Sequence, residues 1–382
     1  MPRSADVVVI GGGVMGASCA YHLLRAGVRR VVLLEREGSF GTGATGRCAG
    51  GVRYQFATEI NIRLSIASLP RFETFLEETG QDCDYRPCGY MIVLTRQEDV
   101  EAFRRSRDLQ NRLGVQTKWL TADEVRRRLP DMHWPDALGA TFHERDGLVD
   151  PNSVVMGYVQ RGRQLGLTAV TDQPVIGIEV DGGRVRGVVT PGGRIECGDV
   201  VDAAGPWAAV VGEMAGVRVP ITPVRRQMVT TTPLPDLPKD FPFVIDFAQS
   251  LYFHREGEGI LTGMSNPHEV PGFDQSIDRQ WEAFALEAAA SRLPMLESAG
   301  RLSGWAGLYE VTPDAHPIFG ATPVDGFWIV AGFSGHGFMH GPVAGQLMAE
   351  VVTRGRFVTV DVSSLDLARF DEGRLIHEYN VV

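Results

Sequence analysis

Gly11, Gly13 and Gly16 stand in the spacing G-x-G-x-x-G, and Glu35 follows 19 residues after the last of them. Glycines so spaced permit a tight turn, a close approach of backbone to a pyrophosphate, and the packing of a helix against a strand. A carboxylate about 20 residues further on accepts hydrogen bonds from a ribose. The chemistry implied is the grip of a dinucleotide whose ribose carries no 2′-phosphate. The turn by itself does not say whether that dinucleotide ends in nicotinamide or flavin.

The elements around these residues are the ones such a site needs. Ala5 to Ile10 is an apolar run fit for a buried parallel strand. Met15, Cys19, Leu23, Leu24 and Ala26 follow a helical spacing that stops at Gly27, and Val31 to Leu34 is a second apolar strand leading into Glu35. The chain then departs from a run of strand–helix units. It enters "GSFGTGATGRCAGGVRYQF" (38–56), a stretch of small residues suited to backbone lying against a flat or phosphate-bearing ligand. A strand from Asp199 to Asp202 meets another small-residue turn at Ala203 to Gly205, and "GFWIVAGFSGHGFMHGPVAGQLMAEVV" (326–352) reads as strand, Gly-rich turn and amphipathic helix. Three small-residue turns at strand-to-helix junctions fit a long ligand held from several sides, which favours FAD over NAD.

Composition narrows the function classes. The chain has 382 residues, 44% of them hydrophobic, enough for two domains. A net charge of −10 argues against nucleic acid, which selects a basic footprint. No apolar stretch approaches the ~20 residues that span a bilayer, and no leader precedes the first strand, so a cytoplasmic location is expected. Five cysteines, Cys19, Cys48, Cys83, Cys88 and Cys197, suit a reducing compartment. Cys83 and Cys88 lack the second pair or histidine of a zinc site, so no metal is expected. "TTTPLPDLPKDFP" (230–242) reads as a connecting loop.

The motifs "GGGVMGASCAYHL", "GWAGLYEVTPDAHPIFG" and "IVAGFSGHGFMHGPVAGQLMAE" resemble the D-amino-acid oxidase superfamily of flavoproteins. Within it the chain is similar to sarcosine oxidases, glycine oxidase and the FAD-bearing β subunits of L-proline dehydrogenase. The resemblance implies an α/β fold in which a Rossmann-like FAD domain (1–84, 147–218 and 317–382) interleaves with a mixed-sheet substrate domain (85–146 and 219–316). It implies FAD contacts from Gly11, Gly13, Val14, Met15, Gly16, Glu35 and Arg36, and from Thr45, Gly46, Arg47, Gly50 and Gly51. Further contacts fall to Val175 on a strand beside the adenine, to Ala203, Ala204, Gly205 and Trp207, to Gly307, and to Gly335, His336, Gly337, Phe338 and Met339. "VIGIEVDGGRVRGVVTPGGRIECGDVVDAAG" is expected as an antiparallel meander, and "QSLYFHREGEGILTGM" as a hairpin over the substrate.

The implied activity is oxidation of the C–N bond of a small secondary or N-methyl amino acid, sarcosine-like or proline-like. Hydride passes to flavin N5 and leaves an imine. Arg53 aligns with the arginine that grips the substrate carboxylate, a task for which a planar guanidinium fork is suited. Tyr252 and His254, two apart on a strand, project to one face. Tyr252 is a candidate hydrogen-bonding group, and His254 a candidate replacement for a missing lysine. His336 is expected beside the flavin, with His340 and His316 weaker candidates, and Arg225 and Arg226, where the domains join, are read either as one lining the pocket or as both structural. Three positions depart from the family pattern. Met339 and Leu261 stand where fast oxidases carry lysines, and Gly307 where covalent members carry a flavin-linking cysteine. Non-covalent FAD and slow reaction with oxygen follow as expectations. The alternatives are a β subunit that hands electrons to a partner within a multi-component dehydrogenase, and a non-catalytic flavin-binding assembly factor.

Overall fold

The computed structural model describes residues 2–381. Two large sheets organise it. In the first, strands run in the order 318–321, 327–331, 199–202, 7–10, 31–34 and 168–170. All neighbours are parallel except Ile318–Ala321, which pairs antiparallel with Phe327–Ala331. Val7–Ile10 and Val31–Leu34 are buried at every residue, as expected of parallel strands covered on both faces. Helices Val14–Arg25 and Gly337–Arg354 pack together on one side, and the approach is close because Gly345 leaves room. A Cβ there would sit 2.2 Å from Ser18 Oγ and 2.4 Å from the Ser18 carbonyl carbon.

The second sheet is mixed and has eight strands, ordered 301–311, 222–231, 259–264, 251–256, 243–246, 90–94, 139–143 and 118–121. The expected hairpin is Leu251–Glu256 and Gly259–Met264, and Gln97–Arg112 and Arg279–Arg292 are helices. A three-stranded antiparallel meander covers Gly177–Asp181, Arg184–Thr190 and Gly193–Glu196.

Three expectations change in detail. The meander ends at Glu196, and the next strand, Asp199–Asp202, leaves it to pair in parallel with Val7–Ile10. Val175 precedes the meander's first strand and is not on it. Thr230 and Thr231 belong to the long strand Thr222–Thr231, so the Pro-rich loop begins only at Thr232.

Candidate active site

The three small-residue turns expected from the sequence follow three adjacent strands of the parallel sheet, Val7–Ile10, Asp199–Asp202 and Phe327–Ala331. Ligands of such sheets bind outside the carboxyl ends of the strands. A groove opens there, lined by Gly11 to Met15, Glu35, Arg36, Thr45, Val175, Ala203 to Trp207, Gly335, Gly337 and Phe338.

Its floor requires glycine. Gly11 has φ +106°, and a Cβ on it would lie 2.5 Å from the Ala203 carbonyl oxygen. Helix Val14–Arg25 starts at Gly13 with no side-chain cap and no acidic residue in its first turn, and Thr45 Oγ1 accepts the Val14 N–H at 3.1 Å. Amides left at a helix start, with the positive end of its dipole, suit a pyrophosphate. Glu35 accepts the Gly12 N–H at 2.7 Å and the Glu37 N–H at 2.8 Å, which fixes its carboxylate on the groove wall. Arg36 lies 3.6 Å over the Trp207 ring on the same wall. These residues fit a dinucleotide.

Gly16 and Gly46 line neither the groove nor the space beyond it and act one layer back. A Cβ on Gly16 would be 1.8 Å from the Gly11 carbonyl oxygen, and one on Gly46 would be 2.2 Å from that of Gly41. Both hold the turn together instead of facing its ligand.

The groove continues into a chamber through Ala44, Cys48, Leu308, Tyr309, Gly335 and Phe338, which line both spaces. The eight-stranded sheet contributes Tyr90, Arg226, Met228, Phe243, Ile245, Tyr252 and Gly307. The opposite side comes from Arg47, Gly50, Gly51, Arg53, His336, Met339 and Val381. No aspartate or glutamate lines it, whereas three arginines do.

Arg53 is buried, 5% exposed, and has no carboxylate within ion-pair distance among the described residues. Its Nη1 donates to the Gln55 carbonyl, its Nη2 donates to the Asn380 carbonyl at 2.5 Å, and its guanidinium lies 4.1 Å over Phe56. Burial pulls its pKa down. The segment carrying it is fixed by buried Asp146, which accepts from Tyr54 N–H and Gln55 Nε2, each at 2.9 Å, and pairs with His143 at 2.9 Å. A buried cation without a counter-charge is costly, so an anionic ligand is what this position can accept.

Tyr252 lines the chamber and His254 does not, although they share a strand face. His254 is 1% exposed and packs at a tilt against Phe243, ring centroids 5.1 Å apart, and its Nδ1 lies 3.0 Å from the Arg255 carbonyl. Burial lowers its pKa to about 4, so it carries no charge near neutrality and cannot stand in for a lysine. His336 does line the chamber. Burial first, then neighbouring His340, His316 and Arg53, hold it far below the usual imidazole range. Both of its ring nitrogens lack a protein partner. His340 is hydrogen-bonded to Ser65 Oγ at 3.0 Å, and His316 to Thr58 Oγ1 at 2.9 Å, so both are parts of the packing.

Of the two adjacent arginines, Arg225 is tied to Glu269 at 3.0 Å and Asp274 at 2.9 Å, while Arg226 faces the chamber. Gly307 packs on Arg47, whose Cβ would be 2.9 Å from a Cβ at that position. Leu261 is buried in its strand and lines neither space. The chain's only lysines, Lys118 and Lys239, also line neither.

Tyr309, Tyr90 and Phe243 were not singled out from the sequence. Tyr309 sits in the quoted "GLYEVTP" motif, and only its position between groove and chamber makes it notable. A Cβ on Gly335 would fall 2.3 Å from its ring.

A parallel sheet with three glycine-bearing strand ends, opening on a cationic chamber beneath a mixed sheet, defines a dinucleotide-dependent oxidoreductase. The chain belongs to the FAD dependent oxidoreductase family (DAO), which it matches over residues 6–351. It is 31% identical to human mitochondrial sarcosine dehydrogenase across 99% of its own length, but spans only 42% of that protein. It is 27% identical to sarcosine oxidase subunit beta of Rhodobacter capsulatus, covering 98% of this chain and 90% of the relative. Its fold superposes on the crystal structure of L-proline dehydrogenase from P. horikoshii with a TM-score of 0.91 at 31% identity, covering 98% of this chain and 100% of that one. FAD is therefore the cofactor of this chain.

Proposed function

We propose that this chain oxidises the C–N bond of a small secondary or N-methyl amino acid, sarcosine-like or proline-like. The carrying observation is Arg53, a buried cation without a carboxylate partner among the described residues, in a chamber that adjoins the FAD groove. When bound, FAD supplies a two-electron acceptor for the C–H next to nitrogen.

The chain's own residues do the rest. Arg53 holds the substrate carboxylate and so fixes which C–H faces the cofactor. Tyr252 and Tyr309 offer hydroxyls in the same space. His336 stays neutral and leaves the amine free to react as its uncharged base. Among the described residues no carboxylate lines the chamber to compete for the arginine or to serve as a strong base. Helix Gly337–Arg354 begins beside the chamber with no acidic residue in its first turn, and its amides suit an anionic ring edge.

The domain division at 84/85, 146/147, 218/219 and 316/317 is supported by the sheets. All strands of the six-stranded sheet fall in the first set of segments, and all strands of the eight-stranded sheet in the second.

Anaerobic bleaching of the purified yellow protein by sarcosine or L-proline tests the reading, and a flavin that no amino acid reduces would leave an assembly-factor role instead. A partner-subunit variant of the same chemistry is favoured by the absence of any lysine from groove and chamber. Reoxidation by a dye much faster than by oxygen supports it, and the reverse order removes it. FAD is held without a covalent bond in this reading. Cys48 is the single cysteine lining either space, and burial raises its thiol to about 11, which keeps it protonated. Acid precipitation should release the colour, whereas colour in the pellet would make Cys48 the tether.

A further inference from the structure

One carboxylate needs one guanidinium, and the chamber presents more than one. Arg47 is occupied: it donates to the Ala306 carbonyl at 2.9 Å and the Thr42 carbonyl at 3.3 Å, and so braces the loop it stands on. Arg226 is not. Among the described residues its only hydrogen bond runs from Nη1 to the Arg225 carbonyl at 2.9 Å. Its Nε is buried with no acceptor, so the Nε–Nη2 edge of the fork, the edge that takes a carboxylate side-on, has none.

The neighbouring position shows that this is not a shortage of acids. Arg225, one residue earlier and facing the other way, takes both Glu269 and Asp274. Alternation along the strand puts Arg226 and Met228 on the chamber face together. Tyr309 lines the chamber with both arginines, and the Arg226 guanidinium is 5.1 Å from its ring.

The geometry points to a substrate with two carboxylates: an amino acid whose α-carboxylate rests on Arg53 and whose second carboxylate, on the side chain or on the nitrogen substituent, rests on Arg226. This rests on the amine-oxidising reading above and specifies its substrate class. A half-buried guanidinium whose Nε has no acceptor gains a charge-assisted contact from a second carboxylate, and a ligand without one leaves that donor unpaired. Sarcosine and proline would then be poor members of the class.

The test separates this inference from the reading beneath it. With the FAD-loaded protein, titration of the flavin spectrum compares thiodiacetate with (methylthio)acetate, a pair of unreactive thioethers that differ by one carboxylate. Thiodiacetate should bind about ten- to hundred-fold tighter. Arg226→Gln should bring the ratio of the two dissociation constants close to one with FAD content intact, and Arg226→Lys should recover part of it. Equal binding by the wild type, a ratio that survives Arg226→Gln, or loss of FAD in that variant would overturn the inference. Anaerobic reduction by iminodiacetate and N-methylglutamate against sarcosine then says which arm carries the second carboxylate. A protein reduced equally by sarcosine and by both dicarboxylates keeps the amine-oxidising reading and sinks this one.

Discussion

Along the groove, at Gly11 to Met15, Ala203 to Gly205 and Gly335 to Gly337, what decides a position is how little side chain it carries. In the chamber that adjoins it, what decides a position is the group in which a long side chain ends. The groove is backbone laid out by three neighbouring strands of one sheet. The chamber is assembled from segments as far apart in sequence as Arg53, Tyr90, Arg226, Tyr309 and Val381. The first construction tolerates almost no added atom and the second tolerates many, so substitutions in the two should fail in different ways.

The largest effect is expected from the turn that underlies the groove. Gly16→Val places a Cβ where the Gly11 carbonyl oxygen already stands, 1.8 Å away, and that oxygen belongs to backbone that cannot swing aside. A cost of more than about 4 kcal/mol is expected, enough to deprive the cell of folded, yellow protein. Flavin content and thermal melting read it out. A stable, FAD-loaded Gly16→Val protein would break the claim that size alone governs this region.

The chamber should lose function and keep its fold. Arg53→Ala removes a charge-assisted grip of about 1.5–3 kcal/mol, and kcat/KM for the substrate should fall about ten- to hundred-fold or more with FAD retained. An unchanged kcat/KM at full flavin content removes Arg53 from the site.

This contrast also explains how much was legible in the sequence. The strand from Val7, the helix from Val14, the strand from Val31 and Glu35 announce themselves because glycine spacing and apolar runs are local signals. The hairpin at 251–264 and the strand–turn–helix at 327–354 were equally readable. The chamber was legible where a motif or strand alternation carried it, at Arg53, His336, Tyr252 and the Arg225–Arg226 pair. Tyr90, Phe243 and Tyr309 converge through an eight-stranded sheet whose strand order no local pattern encodes. His254 misled because alternation gives the face of a residue and not what lies in front of it. Gly16 and Gly46 misled in a milder way, since a fingerprint glycine is required both where it touches ligand and where it only lets backbone close up.

Between the two regions lies Glu310, a carboxyl on the groove wall that accepts the Gly332 N–H at 2.9 Å. Burial raises its pKa to about 7 from an ordinary 4.5. Below pH 4.5 both folded and unfolded chains hold this proton and the group is neutral in the balance. Between pH 4.5 and 7 the unfolded chain gives the proton up and the folded chain keeps it, so stability falls as pH rises, and above 7 the loss is constant. Glu310→Gln keeps the acceptor and removes the charge. It should stabilise the cofactor-free protein by about 2 kcal/mol at pH 8, less than the full shift implies because the side chain opens on the groove. The gain should vanish near pH 4.5. Thermal melting of both proteins across that range decides it, and a gain independent of pH would mean that repacking, not charge, is responsible.

The smallest effects separate Tyr252 from His254, which share one strand face and differ in what stands before them. Tyr252 opens on the chamber, and its hydroxyl is available to a substrate. Tyr252→Phe removes one neutral hydrogen bond of about 1 kcal/mol, and kcat/KM should fall by roughly five-fold. His254 is closed off behind Phe243, and a pKa near 4 keeps it neutral throughout the pH range of an amine oxidation. If it acts only by filling space, His254→Asn should lower the melting temperature and change kcat/KM by less than about two-fold. The shape of the pH–rate profile between about pH 6 and 9 should be the same for wild type and variant, because an imidazole that is already neutral gives up no proton there. A limb of the wild-type profile that disappears in His254→Asn would show that the ring titrates against the cofactor from behind Phe243. That result would turn the comparison around, since a residue outside both spaces would then be part of the chemistry and the boundary of the chamber would lie one layer deeper than its surface.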